Sequence, residues 1–330
     1  MSIDVPVGQL IPGLRIRSYA GHADDQAIVD VQTAAHFADG LDYVPTVEQF
    51  AADLEHPAGF EPLRDIAVGE LAGRIVAVGR AAYVRRDGED TYEVDIAVHP
   101  EVHRIDVGRT LLRRLEGLAI QMAARRPAEP RRWYASWCVD SAEDTRALLA
   151  EEGYRPVRSF FEMVHDHLSD VPEVPLPDGL EMRPLETVDH RRIFDAEAEA
   201  FSDHWGAREW TDAIFEGIFG APDLDTSLWR IAWAGDQVAG VCANWVYAAE
   251  NERLGVRRGW LEQVSVRRPW RHRGVARALV AASLRAFADR GLTSAALGVD
   301  ADNPTGAVGL YEGLGFRVHK PATSYRKAMP

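Results

Sequence analysis

The chain of 330 residues repeats its own pattern once. Matching landmarks recur in the same order in both halves, at offsets that stay between 162 and 168 residues. The clearest pairs are Gly13 with Gly179, Val98 with Val266, and Gly153 with Gly315. Solenoid repeats are much shorter than this, so the pattern indicates duplication of a whole domain. The length agrees with two domains.

Each copy predicts the order strand, helix, hairpin, strand, helix, strand, helix, strand. This order favours an α/β fold in which helices flank a mixed sheet. We expect a first domain over residues 1–165 and a second over 179–330. Residues 166–178 between them are rich in proline, which is typical of a stiff, extended linker.

The charge and composition of the chain disfavour nucleic acids and membranes as partners. The net charge of −14 opposes non-specific binding to nucleic acid or to an anionic membrane. We identify no apolar run of the roughly 18 residues that a membrane span needs, and no signal peptide at the amino terminus. The two cysteines, Cys138 and Cys242, are too few for a disulfide framework. We therefore expect a cytoplasmic monomer or homodimer, without a metal because the histidines lack ligand spacing.

A basic turn in the second half has the features of an anion site. The strand that ends with Val264, Ser265 and Val266 leads through this turn into a helix that begins near Gly274. Backbone N–H groups at a helix start lack intrahelical partners and attract phosphate. A basic loop without a ligand would look the same in isolation. The residues expected to bind phosphate are Arg271, His272, Arg273, Gly274, Val275 and Ala276.

The pattern Arg271-x-x-Gly274-x-Ala276 after a strand resembles the acyl-CoA pyrophosphate signature of the GNAT acetyltransferases. The segment from Asn303 to Phe316 is similar to the second cofactor-contacting segment of that family. The resemblance covers both halves, strongly over 260–316 and weakly over 13–163. It implies two tandem GNAT domains, acetyl-CoA as cosubstrate, and a strand at Val264–Val266 that pairs with the pantetheine arm.

Tyr311 is the expected general acid. We predict a short helix capped by Asn303, with Pro304 in its first turn and with Asn303, Ala307 and Tyr311 on one side. A buried phenol can protonate a leaving thiolate at neutral pH. A core aromatic residue is the alternative, and the family resemblance favours the acid.

The attacking amine needs a base on the acceptor side. Glu262 precedes the phosphate loop on its strand and, by strict alternation, faces the same side as Val264 and Val266. We predict that Glu262 takes the proton, although a strand-edge charge is an equal alternative. His204 and Trp205 follow the first helix of the second half, and the resemblance implies that this region lines the acceptor pocket.

The first half departs from the pattern. Asp106 stands where Gly274 stands in the second half, and Leu149 stands where Tyr311 does. We interpret Asp106 as a cap of a helix that begins near Val107, and its carboxylate as repelling a diphosphate. The first half is therefore expected to have lost catalysis.

Tandem chains of this size with one competent carboxy-terminal half resemble the mycothiol synthase type. The predicted activity is direct transfer of acetyl from acetyl-CoA to a small-molecule primary amine. The alternatives are mycothiol synthase itself and a CoA-binding or sensing module without turnover. A dinucleotide-dependent oxidoreductase is disfavoured because no Gly-x-Gly-x-x-Gly is present.

Overall fold

The computed structural model describes residues 11–127, 131–303 and 305–330. The chain forms two compact units. The first unit comprises Met1–Val157 and Thr323–Pro330, and the second comprises Arg158–Ala322. The expectation of an α/β fold with mixed sheets flanked by helices is confirmed. Within the described ranges, no helix is both long enough and apolar enough to cross a membrane.

The first unit is an α/β domain whose sheet contains five neighbouring strands. Its elements are β1 (Arg15–Ser18), α1 (Asp25–Asp39), α2 (Val47–Glu55), α3 (Pro62–Asp65), β2 (Ile66–Leu71), β3 (Arg74–Arg86), β4 (Glu89–Val98), α4 (Arg104–Ala123), β5 (Arg132–Val139) and α5 (Glu143–Glu151). Among the described residues, three helices precede β2 in the sequence, α4 connects β4 to β5, and α5 follows β5. The strand order is β1-β2-β3-β4-β5. The pairing of β4 with β5 is parallel, and the other pairings are antiparallel.

The second unit repeats this plan. After β6 (Arg155–His165), its elements are β7 (Glu181–Met182), α6 (His190–Phe201), α7 (Asp212–Phe219), β8 (Arg230–Ala234), β9 (Gln237–Trp245), α8 (Ala248–Leu254), β10 (Arg258–Val266), α9 (Val275–Asp289), β11 (Ser294–Asp300), α10 (Ala307–Glu312) and β12 (Arg317–Ala328). The strand order is β6-β11-β10-β9-β8-β7. The pairing of β10 with β11 is parallel.

Helix α9 packs closely on the second unit's sheet. Its buried residues include Ala278, Leu279 and Phe287, which recur at helical spacing and form one apolar face. Gly259 on β10 allows this approach, because a Cβ atom there would lie 2.6 Å from the Phe287 ring. The core of the second unit therefore forms between α9 and the central strands β9, β10 and β11.

The contact boundaries differ from those of the repeat. Residues 158–165 of β6 lie in the second unit, and residues 323–330 lie in the first. The proline-rich segment 166–178 contains a short 3₁₀ helix at Leu168–Asp170 rather than being extended along its whole length, and its apolar side chains are not free. Leu168 is buried, and Val171, Val174 and Leu176 pack on the second unit's core. This segment therefore belongs to the second unit by its contacts.

Candidate active site in the second unit

The basic turn between β10 and α9 has the backbone geometry of an open helix start. Gly274 is the N-cap of α9 and has φ +88°. His272 also has a positive φ, +60°. A Cβ atom on Gly274 would meet nothing within 4 Å, so the space over this helix start is open. The first backbone N–H groups of α9 can therefore receive an anion, as the sequence predicts for the helix that begins here.

Arg271 and Arg273 have different surroundings. The Arg271 guanidinium donates to the carbonyl oxygens of Val266 (3.0 Å) and Ala200 (2.9 Å) and to the Asp203 carboxylate (2.8 Å). Arg273 is exposed at the surface of the turn. Arg271 therefore anchors the loop, whereas the Arg273 side chain is open to solvent.

Strands β10 and β11 separate in the middle of the sheet. Their parallel ladder joins Arg258–Leu261 to Ser294–Leu297. Beyond Leu261, β10 continues to Val266 along β9, whereas β11 continues to Asp300 along β6. The β10 edge at Val264–Val266 therefore faces a gap, where an extended ligand can pair with the strand.

Glu262 lies at a β-bulge, at the point where this separation begins. The register between β10 and β9 shifts between Leu261 and Gln263. Before the bulge, Gly259 faces Phe287 of α9, so alternation turns Glu262 to the opposite side of the sheet. After the bulge, Val266 faces Leu279 of α9 again, since both lie within 3.3 Å of a Cβ on Gly240.

The expectation that Glu262 shares a face with Val264 and Val266 is therefore wrong. A bulge adds one residue to the strand and breaks the period of two. Two consecutive residues, Glu262 and Gln263, then point to the side opposite α9. Sequence alternation alone could not reveal this, because the bulge depends on pairing with β9.

The Glu262 carboxyl is accessible to solvent but largely surrounded by protein. The surrounding protein raises its pKa above the ordinary value, the Asp223 carboxylate raises it further, and a hydrogen bond from Tyr247 opposes the shift. The Tyr247 hydroxyl donates to Glu262 at 2.9 Å. A carboxylate with a raised pKa at an accessible position is suited to accept a proton from an amine.

Tyr311 is buried in the second unit, with 7% of its surface exposed. Its ring packs against Phe316, with 5.9 Å between the ring centroids. Burial raises the pKa of the Tyr311 hydroxyl above its ordinary value, and Cys242 adds to this shift. The hydroxyl therefore keeps its proton at neutral pH, which a general acid requires.

The predicted cap of the Tyr311 helix is wrong. Helix α10 begins at Ala307, and its N-cap is Gly306. Asn303 lies in the preceding turn, where its side-chain oxygen accepts from the Thr305 backbone N–H at 2.8 Å. Pro304 lies outside the described residues. Asn303 is therefore not on the Tyr311 helix, because its side chain stabilises the turn instead.

His204 and Trp205 lie beside the turn between β10 and α9. Asp203, the residue before them, pairs with Arg268 and Arg271. Burial lowers the pKa of His204, and the nearby Arg271 lowers it further. Trp205 contacts the Phe160 ring, with 6.1 Å between centroids. These contacts place His204 and Trp205 near the end of β10 that leads into α9. The residues that act on Glu262 are different: Tyr247 donates to its carboxylate, and Asp223 raises its pKa.

In the first unit, the segment that corresponds to the turn before α9 is already helical. Helix α4 begins at Arg104, with His103 as N-cap, so Asp106 lies inside the first turn. The interpretation of Asp106 as the cap is therefore wrong. Its carboxylate instead accepts from Arg109 at 3.0 Å and lies 3.1 Å from His103 Nδ1. Leu149 is fully buried.

A small, partly open cleft lies at the start of α4 in the first unit. It is lined by Ile96, Val98, Arg104, Asp144, Thr145 and Leu148. Arg104 lines this cleft, and its guanidinium pairs with Asp39 at 2.7 Å. The start of α4 therefore carries a side-chain ion pair, whereas the start of α9 is open.

Sequence reasoning missed Tyr247 and Glu197. Tyr247 lies between β9 and α8 and had no local signal. Glu197 had one, because it falls on the apolar face of α6 together with Ile193 and Ala200, at helical spacing. A carboxylate on a buried helix face requires an explanation.

The family comparison agrees with this architecture. The model for the acetyltransferase (GNAT) family matches residues 28–148 and 190–316. The chain belongs to this family and has two tandem GNAT domains, as the sequence resemblance indicates. It is an acyltransferase.

Curated relatives span most of the chain. A mycothiol acetyltransferase from Catenulispora acidiphila is 28% identical, over 89% of this chain and 92% of the relative. The mycothiol acetyltransferase of Salinispora tropica is 30% identical, over 68% of this chain and 69% of the relative.

Two solved structures share the fold over nearly the whole chain. A GCN5-related N-acetyltransferase from Sphaerobacter thermophilus has a TM-score of 0.74 and 26% identity, over 97% of this chain and 96% of its own. A tandem GNAT protein from the clavulanic acid biosynthesis pathway has a TM-score of 0.70 and 16% identity, over 96% of this chain and 99% of its own.

Proposed function

We propose that this protein transfers an acetyl group from acetyl-CoA to a small-molecule primary amine, with the chemistry in the second unit. The observation that carries the proposal is the separation of β10 from β11. Glu262 lies where the separation begins, and the open start of α9 follows the end of β10. Tyr311 lies on the helix that follows β11.

The residues present fit an acyl-CoA. The open helix start at Gly274, together with Arg273, suits a diphosphate, and Val275 and Ala276 supply the first helical N–H groups. The β10 edge at Val264–Val266, which extends beyond the parallel ladder with β11, suits the amide groups of a pantetheine arm. Arg271, His272 and Asn303 support this surface through the loop structure. Acetyl-CoA, when bound, supplies the thioester that the amine attacks.

The second unit's own side chains manage the two protons of this reaction. Glu262 accepts a proton from the acceptor amine, either directly or through water. The raised pKa of Glu262 improves it as a base near neutral pH. Tyr311 donates its proton to the departing thiolate, and its buried hydroxyl is protonated for this purpose. Both groups act in one ternary complex, so no acyl-enzyme is needed.

The two units differ at the start of the helix that follows the central strand, and this difference indicates which unit catalyses transfer. We propose that the first unit does not catalyse transfer, because α4 begins about one turn earlier and Arg104 at its start is paired with Asp39. We further assign His204 and Trp205 to support of the phosphate loop, since Asp203 ties their loop to Arg271. Tyr247, which donates to Glu262, and Asp223, which raises the pKa of Glu262, are better candidates for acceptor contacts.

The acceptor is proposed only as a small primary amine. The curated relatives are mycothiol acetyltransferases, so the amine precursor of mycothiol is the first compound to test. Calorimetry with acetyl-CoA and CoA should show one binding event per chain, and screening amines should release free CoA thiol. Binding without thiol release for any amine would favour the CoA-sensing alternative. The absence of CoA binding would refute both functions.

A further inference from the structure

Glu197 is a buried acid next to the proposed catalytic strand. It lies on α6 with only 1% of its surface exposed. Its neighbour on the helix, Glu199, reaches the surface and pairs with Arg267. Among the described residues, no cation lies against the Glu197 carboxyl. Burial alone raises the pKa of this group. An ionised carboxylate would be costly at such a position.

The partner of Glu197 is the residue that follows Glu262. The terminal amide of Gln263 lies 2.9 Å from both Glu197 oxygens. With its nitrogen turned toward α6, the amide donates to the Glu197 carboxyl, and this orientation also satisfies the amide oxygen. This contact joins α6 to the bulged residue pair of β10.

The bulge alone does not determine how firmly Glu262 is held. A bulge leaves one residue without a ladder partner, and a one-residue slip would turn Glu262 to the other face. Gln263 prevents this slip only while its side chain stays on the α6 side. The hydrogen bond to Glu197 provides that restraint.

We propose that Glu197 is a positioning residue: its hydrogen bond with Gln263 holds the β10 bulge in the register that points Glu262 toward the acceptor. The proposal rests on the proposed function for the role of Glu262, but not for the bulge itself. The Glu197–Gln263 contact includes no residue of the turn between β10 and α9, so acetyl-CoA binding and this contact can be measured separately.

The carboxyl acts in its neutral form. Burial raises the pKa of Glu197 to about 8, so the group is mostly protonated at neutral pH. Gln263 on β10 contacts the carboxyl and is uncharged, and among the described residues burial is the only cause of the shift in the pKa of Glu197. A neutral amide at position 197 should therefore replace the acid, whereas a methyl group should not.

The kinetic test compares Glu197→Ala with Glu197→Gln. The alanine variant should lower kcat by about 10- to 100-fold, the range typical of a displaced catalytic group. Its KM for acetyl-CoA should change by less than about twofold, because the cofactor contacts are untouched. The glutamine variant should stay close to wild type at pH 7. Asp195→Asn, which alters an exposed ion pair on the same helix, is the matched control.

The outcomes separate the possibilities. An unchanged kcat in Glu197→Ala would overturn the proposal, as would a glutamine variant as impaired as the alanine variant. A shift of the acidic limb of the pH–kcat profile in Glu197→Ala supports positioning, because a loss of stability alone would not move it. Circular dichroism and acetyl-CoA calorimetry confirm that each variant is folded.

A structural readout works even if no amine is acetylated. A crystal structure of Glu197→Ala should show the β10–β9 register changed or disordered at Glu262, and Glu197→Gln should retain it. An intact bulge in Glu197→Ala would refute the positioning role. The lack of activity in the wild type would instead refute only the proposed function.

Discussion

The Lys327 ammonium lies 2.7 Å from the Glu116 carboxylate, although 211 positions separate the two residues. Glu116 also accepts from the Tyr154 hydroxyl at 2.9 Å. The Lys327 ammonium further lies over the rings of Tyr134 and Tyr154. The last residues of the chain are therefore part of the first unit's packing.

Lys327→Met should destabilise the first unit. The change keeps the apolar stem but leaves the half-buried Glu116 carboxylate without its cation. We expect the free energy of unfolding to fall by about 1–3 kcal/mol. Urea unfolding followed by circular dichroism measures the loss. Arg285→Met is the control, because its pair with Glu173 is exposed and should cost less than about 1 kcal/mol. Equal losses in both variants would contradict the prediction.

Substitution of Gly274 should weaken CoA binding. Gly274→Ala forces a side chain into a φ of +88°, a strain of about 1–2 kcal/mol, although no neighbouring atom obstructs it. Gly274→Asp adds a carboxylate at the N-cap of α9, and repulsion of the diphosphate should weaken binding more. Calorimetry with CoA measures both, with Gly235→Ala, a glycine of positive φ in the β8–β9 turn, as control. If Gly274→Asp binds CoA as tightly as Gly274→Ala does, the assignment of this helix start to the diphosphate is refuted.

Tyr311→Phe should lower kcat with little effect on CoA affinity. The change removes the proton donor but keeps the ring contact with Phe316. Loss of a general acid costs about 100- to 10,000-fold. Free-thiol release gives kcat, and calorimetry gives the affinity. Phe316→Leu serves as a packing control that retains the hydroxyl. If Tyr311→Phe retains wild-type kcat, Tyr311 is only a core residue.

The pH dependence of the reaction should report Glu262. Because its pKa is raised, kcat/KM should increase with pH through a limb above the usual carboxyl range. The Tyr247 hydrogen bond stabilises the charged form, so Tyr247→Phe should move this limb to still higher pH. Glu262→Gln should remove the limb. A limb that stays in place in Glu262→Gln would belong to the acceptor amine instead.

The buried acid Glu197 should make the protein's stability depend on pH. Its pKa is about 8 in the folded chain against an ordinary 4.5, so the folded state holds the proton more tightly. The stabilisation is complete below about pH 4.5 and is lost as the pH rises to about 8, at up to about 1.4 kcal/mol per pH unit.

Urea unfolding of wild type and Glu197→Gln at pH 5 and pH 8 measures this effect. The difference in free energy of unfolding between the two proteins should shift in favour of the glutamine variant at the higher pH. Asp195→Asn should show no such shift. The same difference at both pH values would mean that Glu197 is ionised in the folded chain.

Local sequence was sufficient for the elements that carry the cofactor side of the site. The helix start at Gly274 is readable because glycine supplies the positive φ and the apolar spacing of Leu279 and Phe287 marks the helix. The internal repeat likewise predicts two α/β domains. The cap of α10 was misjudged because Gly306, with φ +73°, competes with Asn303 for that position.

The sequence by itself determined the duplicated fold, the loss of the glycine turn in the first half and the position of Tyr311 before Gly315, since each depends on residues close together in the chain. Only the tertiary structure decided the face of Glu262, the burial of Glu197, the partners of Arg271 and the unit to which Lys327 belongs. These depend on strand register and on contacts between distant segments. Local conformational preferences carry no information about such pairings.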